Sequence, residues 1–289
     1  MATSPAHKFG QLIGDLLEEV MQPLLQDFCD HRKLYLDKKG HRPARKGKKL
    51  TWLDKYENSH DLDFVIEKNG TDLEMGRPVA FIEAAWRRYT KHSKNKAQEI
   101  QGAILPIADK YDWDKPFMGV ILAGFFTEPS LRQMESSGFN IALFSYDTII
   151  ESFDSVDINV RFDESTPDID FSNVNTRIEN LSAREREKIR DTLINANRQL
   201  IDTFFSKLTM CLDRQIEELI LIPLYGHTYR FNNIDDTLVF LNEYTNDINC
   251  KEFISFRIFV VYSNKSTINE DFCSKDEVLS FLAYIAGNQ

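Results

Sequence analysis

The chain has 289 residues, 42% of them hydrophobic and 28% charged, a globular composition that excludes a disordered, collagen-like or disulfide-stapled polypeptide. Its net charge of −10 argues against a nucleic-acid partner until the distribution is examined. Residues 31–55 hold ten Lys/Arg against two acids and residues 86–96 hold five against none, which leaves −23 on the remainder. A localised basic face on an acidic protein suits a phosphate backbone.

Phe9, Leu12, Ile13, Leu16, Leu17, Val20, Met21, Leu24, Leu25 and Phe28 repeat at helical spacing and predict one long amphipathic helix. Pro23 is expected to kink or divide it. On the helical wheel Glu18 falls nearly opposite this stripe and Glu19 beside it. Glu19 is therefore expected to face a site at the core's edge, and Glu18 to face solvent. The Gly- and Pro-punctuated basic run 38–49 reads as a loop, mobile without a polyanion.

Residues 60–67 and 78–86 predict two antiparallel strands joined through a Lys68-Asn69-Gly70 turn. A helix over 94–111 follows, with a kink expected at Pro106. Then come strand 117–126, helix 130–137, strand 139–144 and helix 146–153. Uniformly apolar strands alternating with helices are strands buried on both faces, as in a mixed α/β sheet. None of these runs approaches the roughly 20 apolar residues of a membrane span. The first residues lack the apolar core of a signal peptide. Cys29, Cys211, Cys250 and Cys273 form no CxxC pair and read as reduced thiols. Together these features predict a cytoplasmic location with no membrane partner.

Residues 156–171 are acidic and read as a linker. Ser182 and Glu185 form a capping box that opens a helix of about 30 residues, roughly 45 Å long, reaching Cys211. Such a helix could bridge domains or pair with a copy of itself. Beyond it, Phe231, Leu238, Phe240 and Leu241 recur as Phe272, Leu279, Phe281 and Leu282, each set after a pair of strands. The pattern is ββα twice. The chain thus divides into a domain over 1–160, a linker and long helix over 161–213, and an accessory ββαββα domain over 214–289 for dimerisation or DNA recognition.

Asp63 sits in one meander strand, followed by Phe-Val-Ile, and Glu83 ends the apolar run of the other. Neighbouring strands lie about 4.8 Å apart, so carboxylates at matching positions can share one divalent cation, placing them within about 5 Å of each other. Hard oxygen ligands suit Mg²⁺, which also holds a substrate phosphate. The basic stretches on either side would supply contacts to that phosphate through Arg45, Lys46, Lys48 and Lys49 before the pair, and Arg87, Arg88, Lys91 and Lys94 after it. This is a constellation for phosphodiester hydrolysis. Trp86 and Tyr89, among these cations, suit base contacts or the closure of a core edge. His60 and His92 are weaker candidates for the site.

The segment Asp61-Leu-Asp-Phe-Val-Ile, a hairpin of about twenty residues, and Val79-Ala-Phe-Ile-Glu-Ala-Ala together resemble the PD-(D/E)XK nucleases, the fold of many type II restriction endonucleases. The resemblance covers roughly residues 8–150. It implies a restriction-endonuclease-like αβββαβ core and a Mg²⁺-dependent endodeoxyribonuclease of restriction or defence type. Such an enzyme acts on double-stranded DNA, as a homodimer if both strands are cut. Asp63 and Glu83 would be the metal ligands, with Asp61 a weaker choice for the first. Glu19 would assist from the first helix, and the Gln98-Glu99 segment lies where many members carry a polar residue. Water would attack the phosphorus while the metal stabilises the phosphate charge. The family's lysine belongs two residues after Glu83, where this chain has Ala85. Lys96 is the first choice to replace it, with Lys91 and Lys94 behind. The alternative is a catalytically inactive DNA-binding or assembly subunit that keeps the nuclease fold.

Overall fold

A computed structural model describes residues 4–89, 93–224, 228–245 and 253–287. Lys91, His92 and Cys250 lie outside the described residues. The chain forms two compact units, Met1–Lys110 with Pro116–Leu208, and Tyr111–Lys115 with Thr209–Gln289.

The first unit opens with helix α1 (Pro5–Arg32). Ser4 caps it by accepting from the His7 N–H, Pro5 starts it where no N–H is needed, and Lys33 ends it in the left-handed region. The helix continues through Pro23, contrary to the expected division. Phe9, Ile13, Leu17, Val20, Met21 and Leu25 are fully buried.

Three antiparallel strands follow: β1 (Tyr35–Lys38), β4 (Phe64–Lys68) and β5 (Arg77–Arg87). The sequence reading missed β1. A small hairpin, β2 (Leu50–Leu53) with β3 (Ser59–Leu62), is inserted between β1 and β4 and forms its own two-stranded sheet. Helix α2 (Ser93–Lys110), strand β6 (Phe117–Gly124), helix α3 (Glu128–Ser136), strand β7 (Phe139–Phe144) and helix α4 (Tyr146–Asp154) complete the sheet and its cover. The strand order is β1-β4-β5-β6-β7, with β5, β6 and β7 parallel. The first unit is therefore mixed α/β. Val120, Ile121, Leu122 and Ala123 are all fully buried, as a central parallel strand requires.

Gly124 ends β6 at φ +91°, and a Cβ there would lie 2.2 Å from the Arg87 carbonyl oxygen and 2.7 Å from the Trp86 ring. Gly124→Ala should therefore cost more than about 1 kcal/mol, read as a lower urea midpoint at unchanged slope. An unchanged midpoint would mean that the β5–β6 ends are loosely joined.

The segment expected to be a linker and one long helix is neither. Helix α5 (Asp168–Glu179) lies along α1, and Val160 and Phe171 are buried. The capping box at Ser182 forms, but its helix, α6 (Ala183–Ala196), stops at Asn197 and α7 (Arg198–Leu212) starts anew. The Asn197 side chain donates to the Leu193 carbonyl oxygen at 2.9 Å, the local competition with helical bonding that makes Asn a helix terminator. Residues up to Leu208 belong to the first unit.

The second unit contains β8 (Ile216–Pro223), β9 (Tyr229–Phe231), α8 (Ile234–Glu243), β10 (Phe256–Tyr262), β11 (Thr267–Phe272) and α9 (Lys275–Ala286). The sheet is antiparallel in the order β11-β10-β8-β9. Alternate residues Phe256, Ile258, Val260 and Tyr262 enter a core with Val278, Phe281 and Leu282, and Trp113 packs edge-on against Phe281.

Candidate active site

The β4–β5 ladder pairs Phe64 with Ile82, so one residue further Asp63 lies opposite Glu83. At Asp63 the chain leaves the hairpin sheet, where β3 pairs with β2, and enters the main sheet. The regular ladder stops there, and two backbone N–H groups need other acceptors. Each is taken by a carboxyl group from the other strand. The Asp63 N–H donates to Glu83 Oε2 at 3.2 Å, and the Ala84 N–H donates to Asp63 Oδ2 at 2.8 Å. Strand topology thus locks together two carboxyl groups 20 residues apart in sequence.

Burial raises the Glu83 carboxyl well above the usual carboxylate range, and the neighbouring Asp63 charge adds to the rise. Lys96 on α2 opposes it. Lys96 is only 14% exposed in its side chain and pairs with Glu99 at 2.7 Å. Alternation along β5 puts Glu83, Ala85 and Arg87 on one face, towards Lys96 and Glu99 of α2. Ala85 is 4% exposed and brings only a methyl group to the site's edge.

The first-helix acid is a correction. Glu18, expected in solvent, is half-buried and carries a carboxyl raised to about 7, chiefly by burial and then by Asp63. Glu19, the expected assistant, is exposed and pairs with Arg186 at 3.6 Å. The apolar stripe of α1 spans two contacts, the sheet on one side and α5 and α6 on the other. Its midpoint is therefore not the direction of the sheet. At 100° per residue Glu18 stands only about 20° from Leu25, which is fully buried, so it lies at the stripe's edge rather than opposite it.

Asp61 is also set aside. It lies in β3 and is held by Lys49 and, at 2.7 Å, by Thr51. His60 bonds Asp54 at 3.0 Å, and Asp54 also accepts from the Tyr56 and Asn58 N–H groups, so this histidine closes the hairpin turn. Trp86 is buried against Phe9 and Tyr146, and Tyr89 donates to the Asp163 carbonyl oxygen, so neither lies open for a base.

The basic loop 39–49 is built around a buried charge network rather than left mobile. Arg42, 2% exposed, bonds Asp37 at 2.7 Å and Glu67 at 2.6 and 2.9 Å, and caps the carbonyl groups of Thr71 and Glu74. Arg45, read from sequence as a DNA contact, bonds Asp37 at 3.1 Å and the carbonyl oxygens of Lys38, Gly40 and Lys49. Its guanidinium is consumed inside the loop. Lys46 and Lys48 are exposed, and Lys49 pairs with Asp61. Arg87 is half-buried and lies 3.8 Å from Glu99, Arg88 stacks on Tyr89 and Phe171, and Lys94 is exposed. Lys39, exposed at the end of β1, opposes the rise of the Glu18 carboxyl and so stands near it.

Among the described residues no three His, Cys, Asp or Glu side chains stand close enough together to hold a metal ion, and no helix is long and apolar enough to cross a membrane. No family model matches this chain, and no curated protein matches it. A solved structure described as the crystal structure of protein of unknown function AF1548 is similar over 65% of this chain and 99% of its own, at 11% identity and a TM-score of 0.30. Similarity at that level carries neither fold nor function across.

Proposed function

We propose that this chain is a Mg²⁺-dependent nuclease of the PD-(D/E)XK type, hydrolysing phosphodiester bonds in double-stranded DNA for restriction or defence. The αβββαβ core would be α1, β1, β4, β5, α2 and β6. The observation that carries the reading is the reciprocal lock of Asp63 and Glu83 at the point where β4 joins the sheet. Two carboxyl groups are held together there against their mutual repulsion, flanked by Lys96 on one side and the basic loop on the other.

The donor set fits a small hard dication in part: Asp63 and Glu83 would supply two carboxylate oxygens from one strand pair, with water and the substrate phosphate completing the shell. When bound, such an ion stabilises charge on the phosphate and makes water a better nucleophile. The remaining work falls to the chain's own residues. Asp63 and Glu83 fix the ion's place on the rigid sheet. Lys96, held by Glu99, brings an ammonium beside Glu83 in place of the strand lysine absent at Ala85, where it would screen the phosphate and orient water. Lys46, Lys48 and Lys94 are exposed for backbone contacts. Cutting both strands would require a homodimer.

Ala85 favours a second reading, a DNA-binding or assembly subunit without hydrolysis. Incubation with supercoiled plasmid and Mg²⁺ separates the two. The nuclease reading expects nicked and linear products that disappear with EDTA and in Asp63→Asn, and a loss of at least tenfold in Lys96→Ala. Intact plasmid with Mg²⁺ and with Mn²⁺, from a chain that binds duplex, would leave the second reading.

A further inference from the structure

The antiparallel register of β1 on β4 pairs Leu36 with Ile66, Asp37 with Val65 and Lys38 with Phe64. Both ladders end there: the last pairs are Lys38 with Phe64 and Phe64 with Ile82, and Lys39 and Asp63 are the residues just beyond them. Extended by one residue past those pairs, the row would read Lys39, Asp63, Glu83, on strands about 4.8 Å apart. The geometry points to Lys39 as a residue that contacts the phosphodiester seated at the Asp63–Glu83 pair, on the side opposite Lys96. This assignment rests on the nuclease reading for the identity of its ligand.

Three features of the loop support it. Arg45 Nη2 donates to the carbonyl oxygens on both sides of Lys39, those of Lys38 at 2.6 Å and Gly40 at 3.0 Å. Gly40, at φ +136°, turns the chain immediately afterwards, and its N–H donates to the Lys48 carbonyl oxygen at 2.8 Å. The backbone at Lys39 is thus clamped before any ligand arrives, so binding there orders only a side chain. The Lys39 side chain itself is exposed, and its charge reaches Glu18, which also feels the charge of Asp63. Without a cation, the acids repel a phosphate. A fixed ammonium in the same row provides attraction within a carboxylate-lined edge. Arg45 acts here as a positioning residue, which is why a guanidinium counted among the basic-loop cations is turned inward.

The test measures binding and cleavage separately. A fluorescein-labelled duplex of random sequence is titrated by anisotropy in EDTA over a range of KCl concentrations, with wild type, Lys39→Met, Lys39→Arg and, as a control in the other unit, Lys265→Met. Lys39→Met should flatten the salt slope by about 0.9 log unit, the loss of one phosphate contact. Lys39→Arg should restore the slope, and Lys265→Met should match wild type. In the plasmid assay Lys39→Met should lower kcat about 100-fold, a typical loss for one positioned charge donor. An unchanged slope in Lys39→Met overturns the assignment, even if cleavage is lost, because the residue would then act only through the fold. No binding of duplex by wild type overturns it as well. A flattened slope from a wild type that never cleaves upholds the Lys39 contact and rejects the hydrolytic reading alone.

Discussion

Arg42→Ala is expected to destabilise the first unit by about 3–5 kcal/mol, a large part of the stability of an ordinary domain. The side chain is buried between two carboxylates, with Glu67 fully buried and Asp37 at 2% exposure. Its five donors meet Asp37, both oxygens of Glu67 and the carbonyl groups of Thr71 and Glu74. Removing it leaves two anions without solvent, with Arg45 remaining only for Asp37. Urea titration at pH 8 measures the loss. Pairing Arg42→Met with Glu67→Gln should recover part of the loss by removing the stranded charge. A loss below about 1 kcal/mol at pH 8 would show the network to be hydrated.

Part of this arrangement was legible in the sequence and part was not. That Asp63 and Glu83 lie on paired strands was legible because each adjoins an apolar strand run, and strands that neighbour in sequence usually pair. Strand β1 was illegible: Tyr35-Leu-Asp-Lys38 is four residues long, with one acid and one base, inside a run dominated by Lys and Arg. Missing β1 concealed that Lys39 directly follows the strand paired with β4. Counting charge could not separate Arg42 and Arg45 from Lys46 and Lys48, since the partner Glu67 lies 25 residues away and is identified only by the fold. The Glu18–Glu19 assignment failed for a related reason. A helix packed on both a sheet and other helices has two apolar faces, and their average points at neither. Asn197 was passed over because Ile189, Leu193, Leu200, Phe204 and Leu208 keep helical spacing across it, while one side-chain hydrogen bond to Leu193 ends α6.

Glu83→Gln should abolish plasmid cleavage while making the protein as stable as wild type or more so above neutral pH. The first follows from losing an anionic oxygen that would hold the ion, the second from the raised proton affinity of Glu83. A carboxyl whose folded pKa exceeds its ordinary value near 4.5 binds more protons folded than unfolded. Stability therefore falls as pH rises from that value, and Glu18, raised to about 7, adds to the fall over the lower part of the range. The amide has no proton to lose, so the melting temperature of Glu83→Gln should depend less steeply on pH between 5 and 9. A divalent cation acts in the opposite sense. It favours the anionic carboxylates, so Mg²⁺ should raise the wild-type melting temperature more at pH 9 than at pH 6. That increment should vanish in Glu83→Gln and in Asp63→Asn. Cleavage by wild type should rise with pH over the same interval, because loading the site displaces protons. A Mg²⁺ increment that survives in both variants would move the ion elsewhere on the protein. A wild-type melting curve insensitive to pH would mean that Asp63 and Glu83 are not held as closely as the two cross-strand hydrogen bonds from the Asp63 and Ala84 N–H groups require.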